Sequence, residues 1–121
     1  MPIVEPEVPI DNLYKVEIEG LLEAALRQHL KDFKGKCILK LTLPEINNLY
    51  FDVSNLPNVH KIVGLSGGYD TKEACNRLGL QDNMTASFSR ALSEGLLHSL
   101  TDDDFNAIIS NNIKLIVGAS T

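Results

Sequence analysis

Residues 37–43 read CILKLTL, and apart from Lys40 this stretch is almost continuously apolar. Near-continuous hydrophobicity of this kind is typical of a parallel strand that is buried on both faces. Pro44 follows directly and ends the strand, because proline cannot donate a backbone hydrogen bond. The stretch therefore predicts a sheet of parallel strands, with Lys40 as a charged exception inside one of them.

Similar segments alternate with helical patterns along the whole chain. The other predicted strands span residues 2–8 (PIVEPEV), 59–65 (VHKIVGL) and 84–89 (MTASFS). Predicted helices span residues 13–33, 45–55 and 71–80, a helical turn covers 90–97, and a last helix follows Thr101. Four strand–helix repeats indicate an α/β class in which helices cross over between parallel strands.

The two longest predicted helices carry apolar stripes and capping residues. The first has its stripe at Leu22, Ala25, Leu26, Leu30 and Phe33, with Glu17, Glu19, Glu23, Arg27 and Lys31 mainly on the opposite side. The last is expected to bury Phe105, Ile108, Ile109, Ile113, Ile116 and Val117. Side chains that accept from free amides at a helix start are predicted at Asp11 or Asn12, at Asp70 or Thr71, and at Thr101.

Composition sets limits on the function. The chain has 121 residues, with 11 basic against 16 acidic side chains and a net charge of −5. This size fits one small domain, and the negative charge argues against nucleic-acid or anionic-membrane partners. No apolar run approaches the ~20 residues that span a bilayer, so we expect a cytoplasmic protein. Cys37 and Cys75 lack the spacing of a zinc site or disulfide framework, and we expect buried thiols.

The polar residues of interest follow successive strands, which is where parallel α/β folds display their functional groups. A complete (β/α)8 TIM barrel needs ~250 residues and eight strands, and this chain has half of each. The sequence thus predicts either a small open four-stranded sheet or the back half of a barrel.

Lys40 is the most informative side chain. Flanked by apolar residues, it is expected to point into a barrel interior or a cleft, where burial disfavours the ammonium form. A neutral lysine attacks carbonyls and forms a Schiff base. A lysine that extends from a strand edge into solvent is the alternative interpretation.

Glu5 and Glu7 lie two residues apart and therefore on one side of a strand. Two adjacent carboxylates repel each other, which suits one as a proton donor while the other stays charged. Solvated carboxylates at a strand end are the simpler interpretation, unless Lys40 lies on the adjoining strand of the same barrel.

Residues 65–69 (LSGGY) place two glycines between a strand and a helix. Glycines allow backbone N–H groups to converge on an anion at a helix start, although an ordinary tight turn uses them too. Ser89 and Arg90 follow the next strand, where a guanidinium can clamp the same phosphate. In a barrel, these two loops would follow the seventh and eighth strands, which frequently hold phosphate.

Together, the motifs IVEPEV, LKLTLP, LSGGY and ASFSRAL resemble, in order and spacing, the C-terminal half of class I fructose-1,6-bisphosphate aldolases, especially the bacterial kind. The resemblance covers essentially residues 1–121 and implies a single partial domain, the last four βα units of a TIM barrel. It also implies a lyase that cleaves fructose 1,6-bisphosphate in glycolysis, or condenses the two trioses in reverse.

The resemblance also implies a role for each motif residue. Lys40 matches the Schiff-base lysine, Glu5 the acid/base glutamate, and Glu7 its neighbouring carboxylate. The phosphate-binding residues match Ser66, Gly67, Gly68, Ser89 and Arg90. No metal and no cofactor are implied, because the protonated imine on Lys40 is the electron sink.

Family members carry four further βα units before this region, with a catalytic aspartate and another lysine. We therefore expect a fragment or split half, whose partners are a sugar phosphate and either a second copy or a missing N-terminal half-barrel. The alternative function is a catalytically inactive half-barrel that binds phosphate or assembles with another chain. A flavodoxin-like binding domain would leave Lys40 and Glu5 unexplained.

Overall fold

The computed structural model describes residues 1–121 as one parallel sheet with alternating helices. The elements in chain order are β1 (Ile3–Val4), α1 (Lys15–Leu30), β2 (Cys37–Thr42), α2 (Phe51–Ser54), β3 (Val59–Leu65), α3 (Thr71–Leu78), β4 (Met84–Ala86) and α4 (Asp102–Ala119). The strands lie in the order β1-β2-β3-β4, and all three pairings are parallel. The predicted α/β class is confirmed.

One face of the sheet forms the hydrophobic core. Leu39 and Leu41 of β2, Ile62 of β3 and Met84 of β4 join Leu78 of α3 in a single buried cluster. Strand residues alternate between the two faces, so Ile38 and Lys40 lie on the opposite face and are only partly buried. The prediction that residues 37–43 are buried on both faces is therefore wrong at Ile38 and Lys40, whereas Thr42 on the same face is fully buried.

Several elements are shorter than predicted. β1 covers two residues of the expected 2–8, because Pro6 lacks an N–H group, and the Val8 N–H donates instead to Thr42 Oγ1 at 2.9 Å. α2 covers 51–54 rather than 45–55, and β4 ends at residue 86 rather than 89. Turns cover residues 90–95 of the predicted helical turn at 90–97, because Gly95 at φ +80° leaves the helical conformation after one bond from Ser93 N–H to the Ser89 carbonyl.

The helix caps were partly predictable. Asp70 caps α3 by accepting from Glu73 N–H, and Thr101 caps α4 by accepting from Asp104 N–H, as predicted. α1 has no side-chain cap, because the Asn12 carboxamide oxygen accepts from Tyr14 N–H one residue before the helix begins.

The predicted faces of the long helices are wrong at several positions. Glu19, expected on the polar side of α1, is fully buried, whereas Ala25 and Phe33 are exposed. In α4 the buried residue is Asn112, whose Nδ2 donates to the carbonyls of Leu92 and Glu94. The apolar side chains of α4 that are exposed include Phe105, Ile113, Leu115 and Val117.

The two edges of the sheet differ. The outer edge of β4 is covered by the last two residues, since Thr121 N–H donates to the Met84 carbonyl at 3.0 Å and Ala86 N–H donates to Ser120 Oγ at 3.2 Å. No segment pairs with the outer edge of β1, which contacts only β2.

None of the helices is long and apolar enough to cross a membrane. Cys37 is buried and Cys75 partly buried, and neither is in a disulfide. Burial raises the pKa of both thiols.

Candidate active site

A shallow polar cleft of about 120 Å³ lies at the carboxyl ends of the strands. Its lining consists of Glu5, Glu7, Lys40, Leu65, Ser66, Gly67, Ser87, Ser89 and Arg90. Seven of these nine residues are among the eight predicted from the sequence, and the eighth, Gly68, lies at the margin. From the sequence these residues were related only because each follows a predicted strand. In the structure they line one cleft.

Lys40 and Glu5 form an ion pair on neighbouring strands. The register that pairs Val4 with Leu39 brings the following residue, Glu5, beside Lys40, and their Nζ and Oε2 atoms lie 3.1 Å apart. The Lys40 side chain is 27% exposed and that of Glu5 is 50% exposed. Lys40 therefore opens into the cleft, and its apolar neighbours in β2 face the helices instead of enclosing it.

Glu7 reaches the same cleft by a different route from the predicted one. β1 ends at Val4, so Glu5 and Glu7 do not alternate along a strand. The chain is held over the end of β2 by Thr42, a fully buried residue whose hydroxyl accepts from Val8 N–H. This contact, which the sequence analysis missed, keeps both carboxylates near Lys40.

The turn formed by residues 66–69, the glycine turn, has two successive glycines with positive φ. Gly67 and Gly68 adopt φ values of +63° and +112°, and the Tyr69 N–H closes the turn on the Ser66 carbonyl at 3.0 Å. No carbonyl of the chain accepts from the Gly67 or Gly68 N–H. Free amides just before the start of α3 suit a phosphate oxygen.

Arg90 lies on the other side of the glycine turn. A Cβ atom built on Gly68 would lie 3.8 Å from Arg90 Nη1, so the guanidinium and the turn face the same space. No carboxylate is within ion-pair distance of Arg90. The cleft therefore offers a free guanidinium and free amides at one end and the Lys40–Glu5 pair at the other.

Two contacts join the start of α3, which follows the glycine turn, to the loop that carries Arg90. Thr71 at the start of α3 donates its hydroxyl to the Ala91 carbonyl at 2.6 Å, and its N–H donates to Glu94 Oε2 at 2.6 Å. Because Ala91 directly follows Arg90, these bonds fix the arginine loop relative to the glycine turn.

A second polar group, which we call the buried cluster after its two buried members Lys15 and Glu19, also contains the partly exposed Glu45, Tyr69 and Arg77. Lys15 Nζ donates to Glu19 Oε1 at 2.5 Å and to the Leu43 carbonyl at 2.9 Å, and lies 3.2 Å from Glu45 Oε1. Glu19 Oε2 accepts from Glu45 N–H at 3.0 Å. This cluster was not predicted from the sequence. The i,i+4 spacing of Lys15 and Glu19 could have indicated their ion pair.

No group of three or more histidine, cysteine, aspartate or glutamate side chains is placed to hold a metal ion. The lining of the cleft is instead a mixture of one lysine, one arginine, two carboxylates, serines and glycine. Such a set can hold a phosphate at one end while an amine and a carboxylate face a carbonyl carbon at the other.

The chain has close relatives among curated proteins, although no family model matches it. It is 46% identical to the fructose-bisphosphate aldolase class 1 of Clostridium acetobutylicum over 122 aligned residues, and 46% identical to that of Synechocystis. Identity to the Porphyromonas gingivalis protein of the same name is 38%. Each match covers 99% of this chain, which spans 41% of the length of these relatives. The resemblance that the four motifs indicate is thereby confirmed.

Proposed function

We propose that this chain carries the Schiff-base lysine and the phosphate-binding loops of a class I fructose-bisphosphate aldolase. The supporting observation is that Lys40 Nζ lies 3.1 Å from Glu5 in the same cleft as Gly67 and Arg90. The reaction is the reversible cleavage of fructose 1,6-bisphosphate into dihydroxyacetone phosphate and glyceraldehyde 3-phosphate.

The first half of the reaction builds the imine. Neutral Lys40 Nζ attacks the C2 ketone, and the carbinolamine loses water when Glu5 donates a proton to the departing hydroxyl. The product is a protonated imine, and its positive charge lies beside the Glu5 and Glu7 carboxylates. The glycine turn and Arg90 hold the phosphate on C1, so that C2 is presented to the lysine.

The second half breaks the carbon–carbon bond. As the hydroxyl on C4 loses its proton to a carboxylate, the C3–C4 electron pair moves into the imine and glyceraldehyde 3-phosphate leaves. Protonation of the resulting enamine at C3 and hydrolysis then release dihydroxyacetone phosphate and regenerate Lys40. Because the imine accepts the electron pair, this sequence requires no cofactor or metal.

We further propose that the sheet is the C-terminal half of a (β/α)8 barrel. Its all-parallel order, with functional side chains at the carboxyl ends of the strands, is the arrangement found in such barrels. The partner would be a second half-barrel, either an N-terminal half or another copy, which pairs with the open edge of β1. Closing the barrel would require Ser120 and Thr121 to leave the edge of β4.

Borohydride trapping tests the proposal. We expect dihydroxyacetone phosphate to leave a reduced adduct on Lys40, to leave none in Lys40→Ala, and to leave a full yield in Lys61→Ala, since Lys61 is an exposed lysine of the next strand. An adduct distributed over surface lysines would contradict the assignment. A folded chain that binds phosphate without forming an adduct would support the alternative, an inactive half-barrel.

A further inference from the structure

Glu45 connects the buried cluster to the glycine turn. Tyr69, the last residue of that turn, donates its hydroxyl to Glu45 Oε1 at 3.0 Å. Arg77 of α3 lies 2.9 Å from Glu45 Oε2, and its guanidinium stacks 4.3 Å from the centroid of the Tyr69 ring. One carboxylate therefore joins the segment after the Lys40 strand, the glycine turn and α3.

Tyr69 is bound at both of its ends. Its N–H donates to the Ser66 carbonyl, and its hydroxyl to Glu45. Between these anchors, Gly67 and Gly68 have conformations that few residues favour, and Ile10 packs against both of them. The bond from Tyr69 to Glu45 is thus the polar side-chain contact that fixes where the turn ends.

The charge states of both partners keep this contact intact at neutral pH. Burial raises the pKa of Glu45, but hydrogen bonds from Arg77, Lys15 and Tyr69 outweigh it and lower the pKa to about 2. Burial and the hydrogen bond to Glu45 raise the pKa of Tyr69 to about 12. The carboxylate is therefore charged and the hydroxyl protonated throughout the physiological range.

We propose that Glu45 is a positioning residue that, through Tyr69, holds the glycine turn in the conformation that binds phosphate. The proposal rests on the function assigned to this turn above. A turn that is already ordered loses less conformational entropy when it closes on an anion, which increases affinity without a direct contact to the ligand. Glu45 itself does not line the cleft.

Two variants and a control separate this role from general stability. Tyr69→Phe removes only the hydroxyl, and Glu45→Gln removes the charge. Glu73→Gln is the control, because Glu73 also binds Arg77, at 2.7 Å, but has no hydrogen bond to Glu45 or Tyr69. The full chain is titrated with inorganic phosphate while the Gly67 and Gly68 amide resonances are followed. Hydrogen exchange of the Tyr69 amide and borohydride trapping of Lys40 with phosphate-free dihydroxyacetone complete the set.

We expect Tyr69→Phe and Glu45→Gln to raise the phosphate Kd at least fivefold and to accelerate Tyr69 amide exchange about tenfold. The yield of trapped imine should stay within twofold of wild type, and Glu73→Gln should change none of the three. Unchanged Tyr69 exchange, or an equal acceleration in the β3 amides, overturns the proposal. If the wild-type chain binds no phosphate, the proposed function fails at this turn, and amide exchange alone decides whether Glu45 positions it.

Discussion

Lys15 with Glu19, and Lys40 with Glu5, are pairs of the same composition in opposite surroundings. The Lys15–Glu19 side chains are 4% and 0% exposed and 2.5 Å apart, whereas the Lys40–Glu5 side chains are 27% and 50% exposed and 3.1 Å apart. Lys15 donates to Glu19 and to the Leu43 carbonyl and is in an ion pair with Glu45 at 3.2 Å. Lys40 has Glu5 as its one carboxylate partner.

Under the proposed function, this difference separates a structural lysine from a reactive one. The Lys15 ammonium group is 4% exposed and held by these partners, so it has no access to a substrate carbonyl. Lys40 instead has open space beside it and an exposed carboxylate within proton-transfer distance. Greater exposure, together with fewer bound partners, therefore marks Lys40 as the candidate nucleophile.

The largest expected effect is on the buried pair. Lys15→Met leaves the Glu19 carboxylate buried with only the Glu45 N–H as partner, so we expect the free energy of unfolding to fall by about 3–5 kcal/mol. The matched Lys40→Met change breaks a partly exposed pair and should cost less than about 1 kcal/mol. Urea denaturation measures both, and equal losses would remove the distinction between the two pairs.

The next largest effects on stability are expected at two glycines, one in the cleft and one in α1. Gly67→Ala in the cleft forces a Cβ to within 2.7 Å of Ile10 Cγ2 at φ +63°, and we expect a loss of about 2–3 kcal/mol. A Cβ built on Gly20 in α1 has no atom within 4 Å apart from the backbone of its own helix. We therefore expect Gly20→Ala to raise the free energy of unfolding by about 0.5–1 kcal/mol. Thermal unfolding distinguishes the opposite signs, and a stabilising Gly67→Ala would show that the turn is not constrained.

The pH dependence of the buried cluster is smaller. The pKa of Glu45 is lowered to about 2 from an ordinary 4.5, so its contribution is complete above pH 4.5 and is lost as the pH falls towards 2. Because the side chain is 32% exposed, we expect about 1–2 kcal/mol. The stability difference between wild type and Glu45→Gln should shrink over this window in urea titrations. A difference that is constant from pH 6 to pH 2 would contradict this linkage.

The smallest effect on stability is expected at Glu5. Glu5→Gln removes an exposed partner and should change the free energy of unfolding by less than about 0.5 kcal/mol. Under the proposed function, however, it removes the proton donor, and the trapped imine should form about tenfold or more slowly. A variant that is as fast as wild type would show that Glu5 has no acid role.

The parts of the fold that were predictable depend on local signals. β3 has the predicted bounds, and Asp70 and Thr101 are the predicted caps, because a strand pattern and a cap each need only neighbouring residues. The cleft was predictable for a related reason. Parallel strands bring their carboxyl ends together, whichever loops follow them.

The remaining features depend on partners far away in the sequence. Glu19 is buried because the backbone N–H of Glu45 donates to it, and Asn112 is buried because the carbonyls of Leu92 and Glu94 accept from it. A helical periodicity treats both residues as solvent-facing, since the backbone groups that bind them lie in loops outside their own helices. Tyr69 was quoted within LSGGY, but its contact with Glu45 spans 24 positions and has no local signature.

Ser120 and Thr121 occupy the outer edge of β4, which limits how copies of this chain can associate. A sheet with two open edges can add molecules head to tail without limit, which is the route to fibres. Here β4 is occupied and only β1 offers unpaired backbone groups. As long as Ser120 and Thr121 stay on β4, edge-to-edge association of copies therefore stops after one pairing through β1.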